Sequence, residues 1–394
     1  MEPLLWGASL SCTPRKNIEV RRGKRMAAMR SISTNVKSVV ATAVLLCLMM
    51  ASSCEASALD HPARKIGKKR DPTEKVFNVL SFDAKPDGEY DNQMEFMQTW
   101  LAACKHKGKA RVLVPMGKFV LGPVVFSGPC QTEGPIIVQV VGTVMALPDI
   151  TSYEEDFWFQ FENVHGVILT GTGTFDGQGA QNWKVVDNCG GNCVHLPISI
   201  KFIRVTQAIV RQITSLNPMG FHIGVVLCEN IRIRNVKLYA PGDSPNTDGI
   251  HISQSTMVKV ARSTISTGDD CVGIIQGSVD VSIKKVTCGP GHGFSVGSLG
   301  KYKDEKDVRQ IVVTNCTLKD TDNGLRIKTF ANSPPSMASD FTFRDIIMEN
   351  VKHPIIIDQF YGSNSHERYQ VHKHQGNLSI RSWSGSSMQQ ELSL

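Results

Sequence analysis

Aromatic side chains are scarce, 7% of 394 residues, and only 20% of the chain is charged. So few rings argue against a bulky, helix-packed interior, and with 33 glycines they favour many turns around small stacked side chains. The 41% hydrophobic content supports a core for one large domain or two ordinary ones, and excludes a disordered chain. Net charge is nearly missing from the body. The formal charge is +7, but residues 1–58 carry eight Lys/Arg and three acids, leaving 35 basic against 33 acidic residues beyond them. A sequence-independent nucleic-acid binder would carry a basic excess on its folded part, so no nucleic-acid partner is expected. No C-x-x-C pair or cysteine–histidine cluster has zinc spacing, and neither a metal nor another cofactor is expected.

The uncharged run Val39–Ala51 is 13 residues long, short of the ~20 that a membrane-spanning helix needs. Arg30 and Lys37 precede it and Ala56-Ser57-Ala58 follows, the order of n-region, apolar region and cleavage site in a secretory signal. A buried strand or short helix is the alternative. Residues 1–25 are long for an n-region, which points to a start at Met26 or Met29. Residues 1–58 therefore read as an extension with a signal peptide, 59–75 as a basic leader or pro-segment, 76–361 as the folded domain, and 362–394 as a divergent tail. The expected product is a secreted monomer with no membrane attachment after signal removal. Past Cys12, Cys47 and Cys54, eight cysteines remain, an even count that favours disulfides in a secreted chain. For Cys228 and Cys316, inside apolar strand-like runs, a buried free thiol is the alternative. Asn315-Cys316-Thr317 and Asn377-Leu378-Ser379 are acceptor sequons.

One stretch, Asn92 to His106, has helical spacing of apolar residues at Met94, Met97, Leu101 and Ala102, and is expected to cap the fold. No helix-length pattern recurs after it. Short β-branched segments recur instead: Val167–Thr170, Ile209–Ile213, Ile231–Val236, Val258–Val260, Val281–Val286, Ile311–Thr314 and Phe341–Ile346. From Ile209 onward their starts are 22, 27, 23, 30 and 30 residues apart. Strands at such a period, with almost no helix, indicate a solenoid whose coils share one core and pair in parallel ~4.8 Å apart. An all-β parallel β-helix is the expected fold. A β-sandwich or propeller competes, but most links are longer than the two-residue hairpin turns those folds favour.

Four polar clusters keep step with the repeat: Asn246-Thr-Asp248-Gly249, Gly268-Asp269-Asp270-Cys271, Gly291-His292-Gly293 and Arg326-Ile-Lys328. Asp248 to Asp270 is 22 residues and Asp270 to His292 is 22 again, so one wall of the solenoid would carry them about one coil apart. Carboxyls so close cannot all ionise freely, and at least one is expected to keep its proton near mildly acidic pH. A protonated and an ionised carboxyl side by side suit glycosidic-bond cleavage, one protonating the leaving oxygen and the other activating water. Arg326 and Lys328, two apart on a strand, would share a face and could hold a substrate carboxylate. Taken singly, Asp269-Asp270 could be a turn or a calcium pair, His292 a turn histidine, and Arg326 with Lys328 an exposed strand face.

With these four motifs in this order, residues 76–361 resemble the polygalacturonases of glycoside hydrolase family 28, the plant type in particular. The resemblance implies a right-handed single-stranded parallel β-helix and inverting hydrolysis of α-1,4-galacturonan in polygalacturonate or pectin of the cell wall. It implies Asp269 as general acid, Asp248 and Asp270 as groups that activate water, and His292 as the residue that tunes them. Arg326, Lys328, Tyr361 and Asn246 would serve substrate binding. Cys271 with Cys288 and Cys104 with Cys130 would be disulfides. Phrases at Ser215–Asn217, Phe221–Ile223 and Gly297–Gly300 look most like the exo-acting, pollen-type branch, with endo action, a calcium-dependent pectate lyase or a catalytically impaired wall-binding protein as alternatives. The plant-type pattern is lost from Gly362 onward, so altered or missing last coils are expected there.

Overall fold

The computed structural model describes residues 73–186, 196–331, 333–362, 378–380 and 383–384. The signal-like segment with Cys12, Cys47 and Cys54, the leader up to residue 72, Cys189, Cys193 and Asn377 lie outside them.

The repeating segments fold as strands because every second residue is β-branched or aromatic and buries on one side. Leu169, Val210, Ile233, Val260, Ile283, Val313 and Phe343 stand in one register column, all buried. From Val210 their steps are 23, 27, 23, 30 and 30 residues, the period read from the sequence to within one residue. Burying each such side chain contributes roughly 1.5–3 kcal/mol, so stacking of coils, rather than any coil alone, holds the fold. Where the reading and the structure differ, a bend is the reason. The strand expected at Ile209–Ile213 spans Thr206–Arg211, and Ile213 lies beyond Gln212, whose φ is 57°. Asn235, Arg262, Lys285, Asn315 and Asp345 repeat this left-handed bend at the same place in later coils.

Among the described residues, the chain forms a sheet of twenty strands, which bends through these turns, and a second sheet of nine. All pairings are parallel, and the fold is a parallel β-helix. Leu378–Ile380 and Trp383–Ser384 pair with Ala338–Glu349, so the stacking continues past residue 361. The expected helix is present as Gln93–Cys104, but its buried face differs from the one read from the spacing. Phe96, Thr99, Trp100 and Ala103 face the core, whereas Met94 and Leu101 are exposed. The larger rings win the interior: Trp100 stacks on Phe126 at 4.6 Å and donates its indole N–H to the Ser127 carbonyl. The disulfide Cys104–Cys130 ties this helix to the coil beneath it.

The nine-strand sheet positions the site. Its strands include Phe157–Glu162, Ile198–Ile203, Ile223–Val226, Ile250–Ser253, Val272–Ile274, Phe294–Leu299 and Asn323–Phe330. Ile250 and Ile252 point into the core, and the residue between them, His251, points out. The same alternation places Lys201, Gly224, His251, Gly273, Ser295 and Arg326 in one outward row.

Candidate active site

Asp248, Asp270 and His292 occupy equivalent positions in successive coils, as their 22-residue spacing requires. They sit in the turns just before the strands of the nine-strand sheet. Two local devices shape those turns. Asn246 takes φ 51°, a left-handed conformation that asparagine tolerates better than most residues, and it is exposed. Thr247, fully buried, then bolts its turn to the next coil: its hydroxyl accepts from the Gly268 N–H at 3.0 Å and its carbonyl accepts from the Thr267 hydroxyl. A Cβ on Gly268 would lie 1.9 Å from the Ser244 carbonyl oxygen, so only glycine permits the two turns to approach this closely. The disulfide Cys271–Cys288 anchors the chain immediately after Asp270.

The three carboxyls have three different environments. Asp248 is 6% exposed and accepts from His251 Nδ1 at 2.9 Å. Burial pushes its carboxyl up to about 6, with the charges of Asp269 and Asp270 adding to the effect and His251 opposing it. Asp269 accepts from His292 Nδ1 and from the Asp270 N–H, both at 2.8 Å. Burial raises Asp269 too, but the hydrogen bond and charge of His292, with Lys328, outweigh it and hold the carboxyl below its ordinary range. The same hydrogen bond raises His292. Both shifts favour placing the proton of the Asp269–His292 pair on His292. Asp322 lies on the other side of that imidazole, 3.7 Å from Nε2.

Asp270, 4% exposed, is clamped. Its Oδ1 accepts from Arg326 Nη2 at 2.7 Å and from the Ser295 hydroxyl at 2.6 Å, and its Oδ2 accepts from Lys328 Nζ at 3.1 Å. Ser295 also accepts from Arg326 Nε at 3.1 Å. Two cations share one carboxylate, so this clamp is positive by itself, and Asp248 balances it across the trough when ionised. Tyr361, 37% exposed, places its ring 5.4 Å from Lys328 Nζ and edge-on to Phe330. Asp269, Asp270 and His292 each present a ligand atom within 4.8 Å of the others, as a metal site would. Arg326 and Lys328 already occupy Asp270, and their charge repels a metal ion.

The structure thus brings Asp248, Asp269, Asp270, His292, Arg326 and Lys328 together, with Tyr361 beside Lys328 and Asn246 exposed in the turn that carries Asp248. Sequence spacing missed His251, Gly273 and Ser295. All three were legible as the middle residue of apolar–x–apolar triplets (Ile-His-Ile, Val-Gly-Ile and Phe-Ser-Val) aligned with Leu-Arg326-Ile. Gly273 keeps the trough open. A Cβ there would stand 3.1 Å from Asp248 Oδ2, 3.4 Å from His251 Nδ1 and 3.8 Å from Asp270 Oδ2. Gly273→Ala is expected to leave the melting temperature within a few degrees and to lower kcat about 10- to 100-fold, because the carboxyls must move aside. Unchanged turnover in that variant would show that the space over Gly273 is not used.

Both disulfides implied by the resemblance are formed, Cys104–Cys130 and Cys271–Cys288. Cys228 and Cys316 follow the alternative, being free buried thiols that burial pushes up to about 11.

Comparison with known proteins identifies the family. The model of glycosyl hydrolases family 28 matches residues 104–382. An exopolygalacturonase of Arabidopsis thaliana is 44% identical over 342 residues, covering 86% of this chain and 79% of its own length. One from Platanus acerifolia is 45% identical over 288 residues, 73% of this chain and 75% of its own. Among solved structures, the Thermotoga maritima exopolygalacturonase superposes with a TM-score of 0.62 at 21% identity, over 78% of this chain and 79% of that one. The polygalacturonase of Erwinia carotovora superposes with 0.63 at 20% identity, over 77% and 84%. These two likenesses concern the fold. The family match spans well over half of the chain and the plant relatives exceed 40% identity across most of it, so the chain belongs to glycosyl hydrolases family 28 and is a glycoside hydrolase.

Proposed function

We propose that this glycoside hydrolase cuts α-1,4-galacturonosyl linkages of polygalacturonate with inversion, releasing galacturonate from the non-reducing end. The observation that carries the reading is the Arg326–Asp270–Lys328 clamp: two cations on one buried carboxylate, positive by itself, beside the Asp269–His292 pair. A uronate carboxylate neutralises that excess, and a neutral sugar does not. Asp269 delivers the pair's proton to the leaving glycosidic oxygen. Asp248, raised towards 6, is a stronger base than an ordinary carboxylate and takes the proton of the water that attacks the anomeric carbon. Asp270 orients the water and fixes the two cations. Tyr361 flanks the sugar, and Asn246 shapes the turn that carries Asp248. Exo action follows the named activity of the plant relatives.

Two disulfides and the signal-like Arg30–Ala58 segment support action outside the cell, on wall pectin. The test is mass analysis of products from polygalacturonate with a chelator at mildly acidic pH, sampled from the earliest times. Saturated monogalacturonate in the first sample is expected. A ladder of saturated oligomers would make the enzyme endo-acting, and unsaturated, ultraviolet-absorbing products would make it a lyase.

A further inference from the structure

The row of outward residues contains one ring for which the roles above have no use. His251 lies between Gly224 and Gly273, so its two register partners put no side chain beside it. Its imidazole is stacked on the Phe221 ring, 4.5 Å between centroids and 15° from parallel, and its Nδ1 stands 2.9 Å from Asp248 Oδ2. The other histidine nearby behaves differently. His222 is fully buried, bonded to the Ser215 hydroxyl at 2.8 Å, and pushed down to about 3 by burial, so it is a neutral core residue. His251 instead faces the trough, oriented by a flat aromatic surface on one side and a carboxylate on the other.

We propose that His251, braced by Phe221, is a positioning residue that holds Oδ2 of Asp248 by its Nδ1–H and leaves Oδ1 to take the proton of the attacking water. The inference rests on the reading of Asp248 as the base. Three features argue for a built arrangement. The stack fixes the ring plane, the hydrogen bond fixes Oδ2, and the lack of a side chain at Gly273 keeps the space beside that oxygen and beside Oδ2 of Asp270 clear. The charged groups around the pair are Asp269 and Asp270 from the next coil, which raise Asp248, then Arg326 and Lys328 on Asp270, and Lys201 beyond Gly224, itself paired with Asp156. Among the described residues, His251 is hydrogen-bonded to the Asp248 carboxyl and pulls it down against burial. Removing the imidazole therefore raises Asp248 further, and a reaction that needs Asp248 ionised loses rate on its acid side.

The experiment compares wild type, His251→Ala and His251→Gln. The pH profile of kcat is measured on trigalacturonate, and the Asp248 carboxyl band, identified by its loss in Asp248→Asn, is titrated by infrared spectroscopy. His251→Ala is expected to lose kcat about 10- to 100-fold with KM within about threefold, and to displace the acid limb and the band midpoint to higher pH by about one unit. His251→Gln, whose amide can donate to the same oxygen without charge, is expected to recover most of kcat and to bring the limb and the band midpoint part of the way back. Equal losses in both variants with the limb and band unmoved would reduce His251 to packing and overturn the proposal, as would full kcat in His251→Ala. The infrared titration needs no turnover. If wild type fails to cut polygalacturonate, the proposed substrate falls, while a band midpoint that shifts or stays still decides whether His251 holds Asp248.

Discussion

Asp269→Asn is expected to lower kcat on polygalacturonate about 10²- to 10⁴-fold, the usual contribution of a positioned acid, while KM changes only a few-fold. Asparagine keeps the volume of the side chain, and its amide oxygen can still accept from His292 Nδ1 and the Asp270 N–H, each now at 2.8 Å. What it cannot do is take up the proton now on His292 and give it to the leaving oxygen. The fold does not depend on that transfer, so the melting temperature should stay within a few degrees. Steady-state kinetics on oligogalacturonates check this directly. Retention of more than a tenth of wild-type kcat would mean that the leaving oxygen takes its proton from another group, with Asp248, the carboxyl that burial raises, as the next candidate.

Asp270→Asn is expected to damage both stability and turnover. The carboxylate is the shared counter-ion of Arg326 and of Lys328, and Lys328 is only 7% exposed. Asparagine keeps one accepting oxygen for these donors but turns an amide N–H towards the rest and offers no charge, so two cations are left facing each other without their anion. Breaking a buried pair from one side costs about 3–5 kcal/mol, and a clear fall in melting temperature should follow. Turnover should fall at least 100-fold, because Ser295 and Arg326 lose the oxygen that orients them. A further result separates this account from general loss of packing. Oligogalacturonate brings a carboxylate of its own, so it should raise the melting temperature of Asp270→Asn more than that of wild type. Equal protection of the two proteins would show that the cations do not bind the sugar acid.

The roles expected of Arg326 and Lys328 illustrate where sequence reasoning stops. Two cations separated by one residue on a strand must share a face, so their common direction was legible. Their partner in the free protein was not. Spacing pointed them at substrate, whereas the structure pairs both with Asp270, 56 and 58 residues earlier in the chain. Which carboxyl keeps a proton was hidden for the same reason. Three aspartates in step predicted that one would be raised. Selecting Asp248 depends on its burial, and lowering Asp269 depends on an imidazole from the following coil. The helix shows a smaller version of this limit. Its existence followed from spacing, but the face it buries was decided by the ring of Phe126, which receives Trp100.

The sequence by itself determined the coil. Its β-branched segments recur every 22 to 30 positions, and strands that cannot bury a face alone must stack at that period. That same period brought the Asp248, Asp270 and His292 motifs to one wall, since residues one coil apart are neighbours whatever lies between them. Only the tertiary structure decided the charges on that wall. A proton's position is set by burial and by whichever donor comes within about 3 Å, and those distances exist only once the coils are stacked.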